Sequence, residues 1–199
     1  ALLMQYTKEQ GHSKLQSDKL RYVSSGAAPL DPAWKRKAEA FYGVALQNGY
    51  GMTETTAGVC ASRNPLGSDD ISCGPPLPGV EVCIDETVPG GGDGAGEVLT
   101  RGPHIMLGYF RNPDETARVL DADGWFDTGD LGMLLPDGSV VLTGRAKDTI
   151  VLSSGENIEP APLEEELVSS SLIEQVMLVG QDQRQLAALV VPRLEAMLA

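Results

Sequence analysis

Residues 48–56 read Asn48-Gly49-Tyr50-Gly51-Met52-Thr53-Glu54-Thr55-Thr56, so that two glycines flank an aromatic ring and a hydroxyl and a carboxylate follow it. Glycine lets the backbone pass close to a ligand, and the Tyr50 ring offers an apolar face on which a heteroaromatic base can stack. Thr53 can hydrogen-bond a phosphate oxygen, and Glu54 is a hard oxygen ligand of the kind that Mg²⁺ takes together with substrate phosphates. The spacing therefore predicts a nucleotide site, although it also suits a structural Gly/Thr-rich turn between a strand and a helix.

The residues before this motif predict a strand, a helix and a second strand. Residues 20–24 alternate weakly, as a strand does, and lead into the loop Gly26-Ala27-Ala28. Residues 44–46 predict a short buried strand that leads into the motif. Open α/β sheets bind ligands at strand ends of this kind, so the position of the motif agrees with a ligand site.

The intervening helix has recognisable ends. Asp31 is a favourable N-cap residue, Pro32 suits the first helical position and Gly43 supplies the C-terminal stop. Three apolar side chains recur at helical spacing on one face and are predicted to lie in the core: Trp34, Ala38 and Phe41.

From residue 75 the chain changes to short strands with many glycines and prolines. Residues 80–84 and 97–101 alternate as strands do, and the glycine run at residues 90–96 connects them. This run lacks the Lys-Ser/Thr pair of a phosphate loop, so it is predicted to be a flexible hairpin loop. His104 has no visible partner and is interpreted as structural, and residues 112–115 are predicted to begin a capped helix.

Residues 124–145 contain two further candidates. Asp130 is predicted to lie on a turn after an aromatic strand, where a carboxylate can accept hydrogen bonds from both hydroxyls of a ribose. Arg145 follows the next predicted strand and offers a planar fork of donors for ribose or phosphate oxygens, although it also suits a surface ion pair. Asp127 and Asp137 are interpreted as carboxylates that cap their own turns.

After Arg145 the pattern predicts a second, α+β unit. Residues 150–152 and Ile158 flank a predicted hairpin turn at residues 153–156. Residues 160–172 predict a helix whose acidic triplet, Glu164-Glu165-Glu166, faces solvent. Two β-type runs, residues 176–180 and 186–191, follow it.

Four stretches together resemble the core motifs of the adenylate-forming superfamily of acyl-CoA synthetases, luciferases and peptide-synthetase adenylation domains. They are Ser25-Gly26-Ala27-Ala28-Pro29-Leu30, the motif at Tyr50, Gly124-Trp125-Phe126-Asp127-Thr128-Gly129-Asp130 and Gly144-Arg145-Ala146-Lys147-Asp148. Residues 149–160 are most similar to bacterial long-chain fatty acyl-CoA synthetases. The resemblance extends from about residue 22 to residue 168.

This resemblance implies a role for each candidate residue. Tyr50 is expected to stack on adenine, Asn48 to contact the edge of the base, and Asp130 and Arg145 to hold the ribose. Thr53 and Glu54 are the expected catalytic residues, because they would contact phosphate and Mg²⁺ respectively. The implied nucleotide-binding set is Gly26, Ala27, Ala28, Asn48, Gly49, Tyr50, Gly51, Met52, Thr53, Asp130 and Arg145.

The resemblance also implies an architecture of mixed α/β and α+β type. Residues 1–145 would be the end of a large N-terminal AMP-binding domain, formed by the strand–helix–strand unit and a small β-barrel-like subdomain. Residues 146–199 would begin a small mobile C-terminal domain. Lys147 falls at the hinge position between the two domains. The turn at Ser154, Gly155 and Glu156 would line the channel for CoA.

The implied activity is that of an ATP-dependent acyl-CoA synthetase for long-chain fatty acids, with Mg²⁺ as cofactor and ATP and CoA as co-substrates. An acyl-acyl-carrier-protein synthetase or another adenylate-forming enzyme is an alternative. A non-catalytic nucleotide-binding or interaction module is an alternative of another class. The family's lysine-ending phosphate loop does not precede Asn48, and no lysine follows Val191. These observations lead us to expect an internal fragment that is inactive by itself.

Composition excludes some classes of function. The net charge of −13 argues against nucleic-acid binding, and three dispersed cysteines with two histidines do not predict a zinc site. No apolar run has the length of a membrane span. We therefore expect a cytoplasmic protein without a transmembrane segment, with peripheral membrane contact possible because relatives of this type collect lipid substrates.

Overall fold

The structure, a computed structural model, describes residues 2–15, 17–27, 30–88 and 91–197. The chain forms two compact units. The first comprises residues 1–83, 99–126 and 134–141, and the second comprises residues 84–98, 127–133 and 142–199. No helix within the described ranges has the length and apolar character needed to cross a membrane.

The first unit contains the predicted strand–helix–strand arrangement. After helix α1 (Leu2–Glu9), strand β1 (Val23–Ser25) pairs in parallel with β2 (Leu46–Tyr50), and helix α2 (Pro32–Tyr42) connects them. Strand β3 (Cys60–Ala61) pairs antiparallel with β2, so β2 is the central strand of this small sheet. The second strand begins two residues later than predicted and contains the first half of the motif.

Helix α2 has the predicted caps but a different buried face. The Asp31 side chain accepts a hydrogen bond from the Trp34 amide at 2.6 Å, and Gly43 ends the helix in the left-handed region with φ 72°. Ala38 and Phe41 are buried as predicted, but the prediction for Trp34 is wrong, because 42% of this residue is exposed. The buried face is rotated toward Lys35 and Glu39, whose charged side chains pair inside the unit.

Four strands form the β-rich part of the chain. They are β4 (Glu81–Asp85), β5 (Ala95–Arg101), β6 (Phe126–Leu134) and β7 (Val140–Arg145), hydrogen-bonded in that order. The fold class is confirmed, but this sheet is open and not closed into the barrel-like form that we expected. Gly90 of the predicted hairpin loop lies outside the described residues. Helix α3 (Pro113–Val119) begins at the predicted cap, where Asn112 Oδ1 accepts from the Glu115 amide at 3.3 Å.

The predicted turn at Gly129-Asp130 is wrong, because β6 continues through both residues. Gly129 has φ 68°, a conformation that glycine adopts without a Cβ penalty. The Asp127 carboxylate accepts from the Gly129 amide at 2.8 Å, as expected for a carboxylate that stabilises its own local bend. The actual turn precedes β7, where Asp137 accepts from the Ser139 amide at 2.9 Å.

The second unit has the predicted hairpin, helix and strand pair. Strands β8 (Ile150–Val151) and β9 (Asn157–Ile158) are antiparallel, helix α4 (Pro160–Val168) follows, and β10 (Ile173–Val179) pairs antiparallel with β11 (Ala187–Pro192) before α5 (Leu194–Met197). Ile150, Leu152 and Leu178 form its buried cluster.

Two details of helix α4 differ from the prediction. It ends at Val168, four residues before the predicted end at Leu172. Glu164 is not a purely solvated residue, because its carboxylate accepts a hydrogen bond from the Leu178 amide at 2.6 Å. The side chain thereby connects α4 to β10, which sequence periodicity could not reveal.

Candidate functional site

The loop after β1 and the motif in β2 are adjacent in the first unit. The register pairs Ser25 with Asn48, and a Cβ built on Gly26 would lie 3.2 Å from the Gly49 carbonyl oxygen. Because the two strands are parallel, their carboxyl ends meet at one edge of the sheet, which is the usual ligand edge of an α/β fold. Ala27 has φ 66°, and Ala28 lies outside the described residues.

A tight turn follows Tyr50 and requires glycine at position 51. A Cβ on Gly51 would collide with the carbonyl of Ala57, where the chain folds back on itself. Thr55 is fully buried and closes this turn, because its hydroxyl accepts from the Met52 amide at 2.9 Å and lies 3.0 Å from the Met52 carbonyl oxygen. This role of Thr55 was not predictable from the motif, because it depends on the local geometry of the turn.

Asn48 and Tyr50 are both buried: Asn48 is 4% exposed and Tyr50 is 8% exposed. The side-chain nitrogen Nδ2 of Asn48 donates to the carbonyls of Ile71 at 3.0 Å and Ser72 at 3.2 Å. Its Oδ1 is buried and has no hydrogen-bond partner among the described residues. The Asn48 side chain is thereby oriented, and its acceptor oxygen is left unsatisfied. Stacking of a base on Tyr50 stays a prediction.

Thr53 and Glu54 lie on a one-turn 3-10 helix, Thr53–Thr55, immediately after the strand. Thr53 is exposed and Glu54 is half-buried. The Tyr109 hydroxyl donates to Glu54 Oε1 at 3.0 Å, and the Met106 amide donates to the Glu54 carbonyl at 2.8 Å. Burial raises the pKa of Tyr109, and the hydrogen bond to Glu54 raises it further, so the hydroxyl stays a donor at neutral pH.

Tyr109 was not predictable as a site residue. It lies 55 residues after Glu54, and no local pattern relates the two positions. His104, in the same segment, has a partner that its sequence context did not reveal: its Nε2 is 3.1 Å from the Thr100 hydroxyl, and burial lowers its pKa.

The oxygen groups at the turn are compatible with magnesium bound to a nucleotide. No group of three or more His, Cys, Asp or Glu side chains capable of holding a metal occurs in the described part of the chain. Mg²⁺ in nucleotide sites, however, commonly takes one or two carboxylates, with phosphate oxygens and water as its other ligands. The Glu54 carboxylate and the exposed Thr53 hydroxyl fit that donor chemistry.

Asp130 and Arg145 are brought together within the second unit. Asp130 is buried on β6, Arg145 is exposed at the end of β7, and Arg145 Nε lies 3.0 Å from Asp130 Oδ1. The Ala146 amide donates to the Gly129 carbonyl at 3.0 Å, which connects the two strands beside this pair. The Arg145 side chain is 67% exposed and the Asp130 side chain is 7% exposed, and the binding of a ribose to this pair stays a prediction.

The remaining candidates of the second unit are exposed. Lys147 lies in a turn in which the amides of Asp148 and Thr149 donate to the Arg145 carbonyl at 3.0 and 3.2 Å. Ser154, Gly155 and Glu156 form the exposed tip of the β8–β9 hairpin, where Gly155 has φ 84°. Their roles as hinge and CoA channel stay predictions.

Comparison with known proteins identifies the family. Residues 1–110 match the family described as AMP-binding enzyme, and residues 147–198 match the AMP-binding enzyme C-terminal domain. A chloroplastic long-chain-fatty-acid–[acyl-carrier-protein] ligase of Arabidopsis thaliana is 42% identical over 205 residues, covering 92% of this chain and 26% of that protein. Long-chain-fatty-acid–CoA ligase 1 of Homo sapiens is 35% identical, covering 92% of this chain and 27% of that protein.

Solved structures of this type share the fold. The O-succinylbenzoate Coenzyme A synthetase of Bacillus subtilis in complex with AMP superposes with a TM-score of 0.80 at 25% identity, covering 96% of this chain and 40% of that one. The chain spans about a quarter of the length of the curated relatives that it matches. It belongs to the AMP-binding enzyme family, the adenylate-forming superfamily that its motifs resemble.

Proposed function

We propose that the protein carrying this chain is an ATP-dependent ligase that activates a long-chain fatty acid as its acyl-adenylate and transfers the acyl group to CoA. The observation that carries the proposal is the contact between the Gly26 loop and the Asn48–Glu54 motif at the carboxyl ends of two parallel strands. Ligands of open α/β sheets bind at this edge. The relatives described above are named as fatty-acid ligases, which supports the acyl substrate.

The residues of the first unit would bind the base and the phosphates. Asn48 Oδ1 is a buried acceptor without a partner among the described residues, and it would accept a hydrogen bond from the amino group of bound adenine. An unsatisfied buried acceptor typically costs about 1–3 kcal/mol, so supplying a donor is favourable. Thr53 would hold a phosphate oxygen and Glu54 would hold Mg²⁺, which neutralises phosphate charge when it is bound.

In the second unit, Asp130 and Arg145 would hold the ribose hydroxyls, and Lys147 would be the hinge. We propose a domain boundary after Arg145, so that Asp130 and Arg145 belong to the domain before it; this boundary differs from the division into compact units, whose second unit also contains residues 84–98 and 127–133. The C-terminal family match, which begins at residue 147, supports it. Ser154, Gly155 and Glu156 would contact the CoA chain. The chemical step would then depend mainly on positioning the fatty carboxylate against the α-phosphate and on fixed charges around it.

The acceptor thiol has one specific alternative. The Arabidopsis relative is named as an acyl-carrier-protein ligase, so acyl carrier protein is the second candidate acceptor. A cytoplasmic location and contact with a membrane surface stay predictions, and the name of that relative assigns that protein to the chloroplast.

The experiment is an ATP–pyrophosphate exchange assay with a panel of fatty acids, followed by thioester assays with CoA or acyl carrier protein. Asp130→Asn should raise the ATP concentration needed for half-maximal exchange by about tenfold or more, because hydrogen bonds to a charged group contribute about 1.5–3 kcal/mol each. Asp137→Asn is the matched control, since Asp137 stabilises a turn through an oxygen that asparagine retains. Absence of exchange with every carboxylate, or equal behaviour of the two variants, would contradict the proposal.

A further inference from the structure

Three hydrogen bonds fix the segment 104–109 against the turn that carries Glu54. The Thr56 hydroxyl donates to the His104 carbonyl at 2.8 Å, and the Met106 amide donates to the Glu54 carbonyl at 2.8 Å. The third bond, from the Tyr109 hydroxyl to Glu54 Oε1 at 3.0 Å, is the one that reaches the carboxylate itself. The first two therefore position the backbone, and Tyr109 orients the side chain.

Tyr109 is itself held by helix α3. Its amide donates to the Thr116 hydroxyl at 2.9 Å, and that hydroxyl donates to the Asn112 carbonyl at 2.9 Å. Gly108 has φ 141°, and a Cβ there would lie 2.9 Å from the Thr116 methyl group, so the backbone passes directly against the helix. The phenol thus projects from a segment whose position is fixed by α3.

We propose that Tyr109 is a positioning residue that holds the Glu54 carboxylate in the orientation needed for Mg²⁺ and the ATP phosphates. The inference rests on the proposed function, since Glu54 has this role only if the protein binds Mg·ATP. A glutamate side chain loses much rotamer freedom when it is fixed, so fixing it before the ligand arrives favours binding. One hydrogen bond from a phenol leaves the carboxylate with acceptor sites for a cation.

The test is Tyr109→Phe, which removes the hydroxyl and keeps the ring. Calorimetry on the protein that carries this chain measures the Kd of ATP with Mg²⁺ and, separately, the Kd of AMP without Mg²⁺. We expect the Kd for ATP with Mg²⁺ to rise about five- to tenfold, which is less than the full contribution of a hydrogen bond to a charged group, because Tyr109 bonds Glu54 before the ligand binds as well as after. AMP binding without metal should change by less than about twofold. Tyr22→Phe is the matched control, because Tyr22 is 60% exposed in the same unit.

A double-mutant cycle separates positioning from general structural damage. If Tyr109 acts through Glu54, adding Tyr109→Phe to Glu54→Gln should change the Kd for ATP with Mg²⁺ by less than about twofold. If Tyr109→Phe weakens AMP binding without metal as much as it weakens the binding of ATP with Mg²⁺, the positioning role is overturned. Normal binding by Tyr109→Phe together with weak binding by Glu54→Gln would overturn this inference alone. A wild-type protein without Mg²⁺-dependent ATP binding would overturn the proposed function as well.

Discussion

The buried ion pair between Lys35 and Glu39 gives the sharpest prediction about stability. Lys35 Nζ lies 3.2 Å from Glu39 Oε1, and the two side chains are 2% and 5% exposed. Glu39 also accepts from the Leu46 amide at 3.0 Å through Oε1 and from the Gly67 amide at 3.1 Å through Oε2. One carboxylate therefore holds the start of β2, the central strand that carries the motif.

Glu39→Gln is the informative perturbation, because it preserves size and removes charge. Glutamine has one side-chain oxygen, so it cannot accept from the Leu46 and Gly67 amides through two separate oxygens, and Lys35 loses the carboxylate that it contacts directly. Removing one partner of a buried ion pair typically destabilises a protein by about 3–5 kcal/mol. With a urea m-value of about 2 kcal/mol/M, the midpoint should fall by about 2 M.

The assay is urea unfolding followed by tryptophan fluorescence. Both tryptophans, Trp34 and Trp125, lie in the first unit, so the signal reports the unit that contains the pair. Asp69→Asn is the control, because the Arg36–Asp69 pair starts from the same helix but is exposed, at 62% and 89%. Exposed pairs contribute about 0–1 kcal/mol. A Glu39→Gln loss no larger than that of Asp69→Asn would refute the reasoning.

The pH dependence of this effect follows from the pKa of Glu39. Burial alone would raise that pKa, but the hydrogen bonds from Leu46 and Gly67 and the Lys35 ammonium outweigh burial and lower it. A lowered pKa in the folded state means stability that is present above the unfolded pKa and is lost as pH falls through the folded pKa. The difference between wild type and Glu39→Gln should therefore shrink in acid, below a pH of about 4.

Three further predictions concern single positions. Gly51→Ala should abolish nucleotide binding and destabilise the first unit, because the new Cβ would collide with the Ala57 carbonyl; calorimetry and thermal unfolding measure both effects. Burial, followed by the nearby Asp127 carboxylate, raises the pKa of Glu97 to about 7. Because the pKa of Glu97 is higher in the folded state, wild-type stability falls as pH rises through that value and Glu97 ionises. Glutamine does not ionise, so the Tm of Glu97→Gln relative to wild type should increase between about pH 5 and 8. Lys147→Pro, which restricts the exposed turn, should retain ATP–pyrophosphate exchange but lose thioester formation, and equal loss of both reactions would contradict the hinge hypothesis.

Local sequence patterns determined much of the fold. The cap of α2 at Asp31, the cap of α3 at Asn112 and the turn at Asp137 were all predictable, because each uses hydrogen bonds between residues two or three positions apart. The order and spacing of the core motifs also identified the family and the turn that carries Glu54. Such features are encoded within a few residues, so they can be recognised without knowing what packs against them.

Only the tertiary structure decided which groups meet. The helical spacing of Trp34 predicted burial, but the Lys35–Glu39 pair occupies the inner face and leaves Trp34 at the surface. Glu54 meets Tyr109 across 55 residues of sequence, and Asp130 meets Arg145 through the pairing of two strands. Contacts of this kind depend on chain topology and on the balance between the desolvation and the pairing of charges. A local sequence pattern determines neither of them.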